Sequence, residues 1–170
     1  MKSGFAIIRI LRVFTLFGFI VALFVCYIGL PQQVAIHYDE SGAADGFVDK
    51  SLIFYGLTAF VVLFNTALSV LAKLVPALPA SRLKVPNRPF WTENRQALRD
   101  ILAGWLTSLT ALVNAFLVIC LVVVQRLNVD QDVPVLGYGW LPVAGGILLL
   151  GWAAFLPLRL LVRSAAAAEE

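Results

Sequence analysis

The sequence predicts an all-α integral membrane protein with four transmembrane helices and a small extracytoplasmic β-hairpin between helices 1 and 2. Of the 170 residues, 61% are hydrophobic and 14% are charged, whereas soluble proteins average roughly half and a quarter. Four apolar runs reach the roughly 18 residues that a membrane-spanning helix needs. A polar stretch, residues 31–50, separates the first two runs and holds the only histidine.

The four runs are predicted to span the membrane at residues 13–30, 52–75, 101–124 and 138–162. The first run is too long for the 7–15-residue apolar region of a secretory signal peptide, so we interpret it as a membrane span. Pro76 is expected to end the second helix. The chain is predicted to form one domain, made of an N-terminal unit (1–75), a cytoplasmic loop (76–100), a second helix pair (101–163) and a tail (164–170).

The positive charges of the chain predict its orientation. With the N-terminus in the cytoplasm, only Lys50 and Arg126 lie outside. Eleven cations then lie at or near the inner face: Lys2, Arg9, Arg12, Lys73, Arg82, Lys84, Arg88, Arg95, Arg99, Arg159 and Arg163. Cytoplasmic loops of membrane proteins carry an excess of Lys and Arg. Both termini are therefore predicted to be cytoplasmic, and the formal charge of +3 predicts no nucleic-acid partner because the charges sort by membrane side.

The polar stretch has the pattern of a hairpin. Val34, Ile36 and Tyr38 alternate with Ala35, His37 and Asp39. This period of two is typical of a half-buried strand. The pairs 41–42 and 45–46 are Ser-Gly and Asp-Gly, both of which are turn signals. Because an isolated hairpin is marginally stable in water, we expect this one to lie against the helix ends or the lipid headgroups.

The candidate binding residues lie on this hairpin: His37, Tyr38, Asp39, Asp45 and Gly46. The outer loops also hold further carboxylates, at Glu40, Asp49, Asp130 and Asp132. Hard cations prefer several oxygen ligands, but the spacing matches no EF-hand loop, so neither a metal nor a cofactor is predicted. The preferred interpretation is a solvated acidic surface whose Asp and Ser residues form turns. His37 alone could also act as a pH sensor.

Two asparagines lie about halfway along the second and third spans, at Asn65 and Asn114. These two helices are antiparallel, so the side chains should reach a similar depth. An unpaired amide in hydrocarbon costs several kcal/mol, which favours pairing between the helices. A polar transport path is the alternative. Against it, ion pathways usually contain a charged residue, and none is expected deep in any of the predicted spans.

On the inner side, Arg88, Trp91 and Arg95 are predicted to contact lipid headgroups or a partner, because they combine cations with an aromatic ring at the surface. The third helix is expected to begin near Trp91. Gly18, Ala22 and Cys26 are spaced by four residues, and such small residues let a neighbouring helix approach closely. Close packing is the preferred interpretation, with dimerisation as the alternative.

Further small residues lie in the fourth span, where Gly145, Gly146 and Gly151 also suggest close packing. The two cysteines, Cys26 and Cys120, both fall in apolar runs. They are interpreted as buried hydrophobic residues, with a disulfide as the alternative. The chain contains no nucleophile triad, phosphate-binding glycine loop or HExxH motif. We therefore predict that the protein is not an enzyme and has no catalytic residues.

The segment Leu30 to Ser51 resembles an uncharacterised membrane domain shared with the N-terminal part of SdpI-type toxin-immunity proteins. The resemblance lies in Leu-Pro at 30–31, Ile-His-Tyr at 36–38, Gly42 and Asp-Gly at 45–46. It covers roughly the first 75 residues and implies a protein of the bacterial cytoplasmic membrane. The inner Pro-Asn-Arg-Pro-Phe-Trp stretch, residues 86–91, resembles an element of four-helix relatives.

These patterns lead to a first hypothesis: a non-enzymatic membrane protein that presents the hairpin for binding a peptide, a cation or a partner protein, in an immunity-like or sensor-like role. The expected partners are membrane lipids together with a protein or peptide, and an oligomer is possible. A small transporter or channel subunit with a path through Asn65 and Asn114 is the second hypothesis. A structural subunit of a larger membrane complex is the third.

Overall fold

The computed structural model describes residues 2–79, 82–129 and 135–166. The elements in chain order are α1 (Lys2–Gly29), β1 (Gln33–Tyr38), β2 (Ala44–Asp49), α2 (Lys50–Ala77), α3 (Arg88–Glu93), α4 (Arg95–Val129), a 3-10 turn (Val135–Tyr138) and α5 (Trp140–Ala166). Four helices, α1, α2, α4 and α5, are long and apolar enough to cross a membrane. The predicted all-α membrane fold with an antiparallel hairpin between its first two spans is confirmed.

The helices extend beyond the predicted spans. The apolar part of α1 starts at Ala6, seven residues before the predicted span, so two arginines of the N-terminal segment belong to the same helix. Pro76 lies inside the last turn of α2, which ends at Ala77. The third helix does not run unbroken from Trp91. Instead, α3 ends at Glu93, and α4 begins after Asn94, whose backbone lies outside the helical region.

The bundle is organised around α4. Helices α1 and α2 both pack along α4 and touch each other at few points. A core cluster joins α1, β1, α2 and α4 toward the hairpin end of the bundle: Phe19, Leu23, Cys26, Leu30, Val34, Val61 and Leu121. Because the hairpin contributes Val34 to this cluster, its position is fixed by the packing of the membrane helices.

A second cluster lies at the opposite end of the bundle, which we call the terminal end because α1 starts there and α5 ends there. Its buried members are Trp91, Leu98, Ile101, Leu102 and Leu160. Trp91 is 0% exposed, so the predicted contact of this ring with lipid headgroups or a surface partner is wrong. The ring instead packs against residues of α4 and α5 within this cluster.

Helix α5 is joined to α4 by a pair of tryptophans. Trp105 and Trp152 stack with ring centroids 3.9 Å apart. Each indole nitrogen donates a hydrogen bond to the backbone carbonyl of the other residue, at 2.9 and 3.0 Å. Buried indole N–H groups need such acceptors, and in a bilayer water does not supply them. The pair therefore satisfies both donors while joining the two helices.

Small residues take part in helix packing at some of the predicted positions. A Cβ atom on Gly145 would lie 2.7 Å from the ring of Phe116, so glycine permits this approach of α5 to α4. At Gly18, Gly146 and Gly151, by contrast, a Cβ atom would meet nothing within 4 Å, and the predicted close packing at these three glycines is wrong. Cys26 is buried, as predicted, Cys120 is half-buried, and both are free thiols.

Candidate functional site

The hairpin is held on the bundle by the last turn of α4. Asn128 accepts a hydrogen bond from the Ala35 N–H at 2.7 Å and donates one to the Ala35 carbonyl at 3.1 Å. Its side-chain amide thus bonds the outer edge of β1 much as a neighbouring strand would. On its other side β1 pairs with β2, in a register that places Ala35 opposite Phe47. Both edges of β1 are therefore occupied.

The base of the hairpin ties α1 to α2. The Lys50 N–H donates to the Gln32 carbonyl at 3.0 Å, and the Lys50 ammonium donates to the carbonyl of Leu30 at 3.3 Å. Asp49 caps the start of α2 by accepting from the Ser51 N–H at 2.8 Å and also accepts from the Gln32 amide at 2.5 Å. The Ser51 hydroxyl also donates to Asp49. The hydrogen bonds that Asp49 accepts, chiefly the one from the Ser51 hydroxyl, lower the pKa of Asp49.

The turn at the tip is built on Asp39. Its carboxylate accepts hydrogen bonds from the Ser41 and Ala43 N–H groups, both at 2.9 Å, and from the Ser41 hydroxyl at 2.6 Å. These bonds favour the ionised form, so the pKa of Asp39 lies below its ordinary value of 3.8. Gly42 has a φ of +87°, a conformation that suits glycine. Asp39 is thus a structural residue of the tip.

His37 and Asp45 form the exposed polar group of the hairpin. The His37 Nδ1 atom is hydrogen-bonded to an Asp45 carboxylate oxygen across the two strands, and the side chains are 70% and 48% exposed. Gly46 lies opposite His37, where a Cβ atom would come within 2.8 Å of the His37 Cβ. Gly46 therefore permits the close approach of the strands that holds His37 beside Asp45.

The burial of β1 differs from the predicted alternation. Val34 and Ala35 are both buried, whereas Ile36 is 56% exposed. The strand pairing is irregular between Ala35 and Tyr38, and irregular pairing breaks the simple period of two. Tyr38 is half-buried, and its buried hydroxyl oxygen has no hydrogen-bond partner among the residues that the structure describes.

The acidic residues of the hairpin do not converge. Among the residues that the structure describes, no group of three or more His, Cys, Asp or Glu side chains is placed to hold a metal ion. The reason is visible in the contacts: Asp39 bonds its own turn, Asp45 bonds His37, and Asp49 caps α2. Two further members of the predicted acidic set, Asp130 and Asp132, lie outside the described residues.

The structure brings Asn65 and Asn114 together inside the bundle. Each side-chain amide donates to the carbonyl oxygen of the other, at 3.0 and 3.2 Å. Asn65 is 7% exposed and Asn114 0% exposed. Asn65 also donates to the Val61 carbonyl of its own helix at 3.0 Å. The two amides thus satisfy each other at the contact between α2 and α4, which is the arrangement that the depth argument predicted.

Arg12 extends this polar group, a contact that no pattern in the sequence predicted. Its guanidinium donates to the Asn65 carbonyl at 3.3 Å and to the Ser69 hydroxyl at 2.5 Å. Asn65 is about 22 Å along α2 from its first residue, at 1.5 Å per residue. Arg12 lies within the apolar helix α1, one residue before the predicted first span, and its contacts with polar atoms of α2 were not expected from the sequence.

The two predicted inner-face arginines have different surroundings. The Arg95 guanidinium donates to the carbonyls of Ala77 and Leu78, at 3.2 and 2.6 Å, and so caps the end of α2. Cations near helix C-termini stabilise the unpaired carbonyls there. Arg88 is exposed at the start of α3. Of the three residues predicted to contact lipid or a partner, Arg88 is exposed and available for such a contact, Arg95 is bonded to the end of α2, and Trp91 is buried.

A family model described as a domain of unknown function, DUF1648, matches residues 13–62. This segment holds most of α1, the whole hairpin and the first part of α2. No curated protein and no solved structure matches the chain. The match supports the resemblance of the N-terminal segment to an uncharacterised domain of membrane proteins, and does not point specifically to toxin-immunity proteins.

Proposed function

We propose that this is a non-enzymatic receptor-like protein of a bacterial cytoplasmic membrane, with both termini in the cytoplasm, whose hairpin binds an extended peptide segment of a ligand or partner protein outside the cell. The orientation rests on the excess of Lys and Arg at the terminal end. An immunity-like role would be one form of this function. The observation that carries the proposal is the contrast between the two strand edges: the outer edge of β1 is bonded to Asn128, whereas the outer edge of β2 pairs with no strand among the residues that the structure describes.

The open edge of β2 is suited to a peptide strand. Ala35 and Phe47 are paired, and the Ala35 N–H and carbonyl bond outward to Asn128. When the N–H and carbonyl of one residue in an antiparallel pair point away from the partner strand, those of the residue directly opposite also point away from it. The Phe47 N–H and carbonyl therefore face away from β1, where an added strand can bond them. Phe47 itself is 54% exposed.

The charge of the hairpin favours a basic ligand. The described part of this surface carries Asp39, Glu40, Asp45 and Asp49, with Lys50 at its base. Opposite charges on directly facing strands stabilise pairing, and like charges oppose it. A cation alone is a weaker candidate, because the described carboxylates bond separate parts of the hairpin.

The Asn65–Asn114 pair is proposed to hold α2 and α4 together, because the two amides already satisfy each other's hydrogen bonds.

The test uses a photoreactive amino acid in place of Phe47 in the full chain, in membranes. The probe is a synthetic peptide of alternating Lys and Val, and the matched control peptide alternates Glu and Val. We expect cross-linking to the Lys-Val peptide alone. His37→Ala or Asp45→Ala should abolish it while the protein still inserts and folds, whereas the same photoreactive group at exposed, membrane-facing Leu63 should give none. Equal cross-linking of both peptides, or no effect of either hairpin variant, would contradict the proposal.

A further inference from the structure

An apolar groove runs between α1 and α2. Because these helices pack on α4 and touch each other little, a space of about 400 Å³ remains between them. Its walls are mainly apolar side chains of both helices, including Leu16, Ile20, Phe54 and Val62, and Asn65 and Thr66 line it as well. Ile20 and Val62 are 44% and 58% exposed, so the groove is open along its side to the bilayer.

Arg12 lies at the terminal end of this groove. On α1 it comes four residues, about one turn, before Leu16. On α2 its partner Ser69 comes one turn after Asn65, and the Ser69 hydroxyl donates to the Asn65 carbonyl at 2.5 Å. The contacts from Arg12 to Asn65 and Ser69 therefore connect α1 to α2 just beyond the residues that line the groove.

The guanidinium of Arg12 retains donors for an anion. Both of its hydrogen bonds come from the same nitrogen, Nη2, and both acceptors are neutral. A guanidinium carries five N–H donors in a planar fork that fits phosphate oxygens. Among the described residues, no carboxylate bonds Arg12. Since a cation in a membrane span is costly without a partner, a phosphate at this position would stabilise it.

The depth of Arg12 matches that of a lipid headgroup. Arg12 precedes Gly29, the last residue of α1, by 17 residues, which is about 26 Å along a helix. The hydrocarbon core of a bilayer is about 30 Å thick. With the hairpin at one surface, the guanidinium lies near the boundary of the opposite leaflet, where the side chain can reach phosphate groups.

From these observations we propose that the α1–α2 groove and Arg12 form a binding site for one anionic phospholipid of the leaflet opposite the hairpin. Its phosphate contacts the guanidinium of Arg12, and one acyl chain lies along the apolar groove toward the hairpin. The groove suits an acyl chain because its lining is almost entirely apolar and the amide of Asn65 is already hydrogen-bonded to Asn114. This site is separate from the hairpin surface and does not depend on the peptide-binding proposal.

The test is native mass spectrometry of the full chain in neutral detergent, with equal amounts of phosphatidylglycerol and phosphatidylcholine of identical chains. We expect the wild type to retain phosphatidylglycerol selectively. Arg12→Met should reduce this retention by about tenfold, as loss of a hydrogen bond to a charged group predicts. Arg99→Met, which removes an exposed cation of α4, is the matched control and should have no effect. Equal retention by the wild type and Arg12→Met would overturn the site.

A second pair of variants tests the groove itself. Thr66→Phe places a ring in the groove and should lower retention of phosphatidylglycerol by a similar factor, whereas Ala67→Phe adds the same ring to the neighbouring exposed residue, which does not line it. Retention that survives Thr66→Phe would overturn the proposal. Displacement of the lipid by excess glycerol phosphate would also overturn it, because the head group alone would then be the ligand.

Folding of each variant is checked by size exclusion and thermal unfolding. Where Arg12→Met does not fold, Arg12→Lys replaces it, since lysine keeps the positive charge and lacks the planar fork. Retention of phosphatidylglycerol by Arg12→Lys that is lower than in the wild type would support the site, and unchanged retention by Arg12→Lys would overturn it.

Discussion

At the scale of single residues, the interior of the bundle shows how amides are accommodated where water does not reach. Asn65 and Asn114 exchange two hydrogen bonds across α2 and α4. Each side-chain amide is the hydrogen-bond partner of the other, so replacing one asparagine leaves the amide of the other buried without that partner. This asymmetry makes the loss of one asparagine more costly than the replacement of both.

Asn114→Leu should lower the free energy of unfolding by about 0.6–2 kcal/mol, the range observed for hydrogen bonds between membrane helices. The double variant Asn65→Leu/Asn114→Leu should lose less than the sum of the two single variants, because it leaves neither amide unpaired. Reversible unfolding in mixed micelles measures both. Thr58→Val is the control, since the Thr58 hydroxyl bonds only its own helix. Additive losses would contradict the pairing.

The asparagine pair could be predicted because depth along two antiparallel spans follows from counting residues. The contacts of Arg12 and Asn128 could not, because both depend on the rotation of helices about their own axes. Arg12 follows two other cations in the sequence, which suggested a surface position. Asn128 lies just past the predicted end of the third span, and only the extension of α4 to Val129 brings it to the hairpin.

At the scale of elements, the hairpin depends on carboxylates that act as hydrogen-bond acceptors. The pKa values of Asp39 and Asp49 are both lowered, chiefly by hydrogen bonds from Ser41 and Ser51 respectively. A carboxyl group with a lowered pKa in the folded state stabilises that state above its unfolded pKa, and this contribution is lost as the pH falls through the folded pKa.

Amide protons of residues 33–49 should therefore exchange faster as the pH drops below about 4, after correction for intrinsic exchange rates. Asp39→Asn should remove part of this pH dependence, because asparagine does not titrate. Hydrogen exchange followed by mass spectrometry makes the comparison. Glu40→Gln is the control, since Glu40 is exposed beside the same turn. A pH dependence that Asp39→Asn leaves unchanged would contradict the role of Asp39.

The presence of this hairpin was predictable from its turn residues, Gly42 and the Asp-Gly pair at 45–46. Its burial pattern was not, because it depends on tertiary contacts of β1: Val34 joins the core cluster of the helices, and Ala35 is bonded to Asn128 at the end of α4. The tryptophan pair of α4 and α5 was also beyond prediction. Trp105 and Trp152 are far apart in the sequence, and their stacking depends on how the two helices cross.

At the scale of the whole molecule, the hairpin and the arginine-rich loop lie at opposite ends of the bundle, joined by spans that each exceed the thickness of a bilayer core. The four spans were predictable because long uncharged runs require no tertiary information. The central position of α4 was not, since all four runs are similarly apolar.

The proposed orientation predicts which end reacts from outside the cell. In a chain with Cys26 and Cys120 replaced by alanine, Ser41→Cys at the hairpin tip should react with a membrane-impermeant maleimide on intact cells. Thr92→Cys in α3 should react only after permeabilisation, because α3 lies at the terminal end. Both positions are exposed. Reaction of Thr92→Cys alone on intact cells would reverse the proposed orientation.

The location of the hairpin's anchor in α4 has a consequence for biosynthesis. The ribosome makes α1, the hairpin and α2 before it makes Leu121 and Asn128, which complete the core beneath the strands and bond the edge of β1. Until the third span has entered the bilayer, the nascent chain lacks the helix on which its first half packs. Residues 13–62, the segment shared with DUF1648, thus reach their final arrangement only when a later part of the polypeptide arrives.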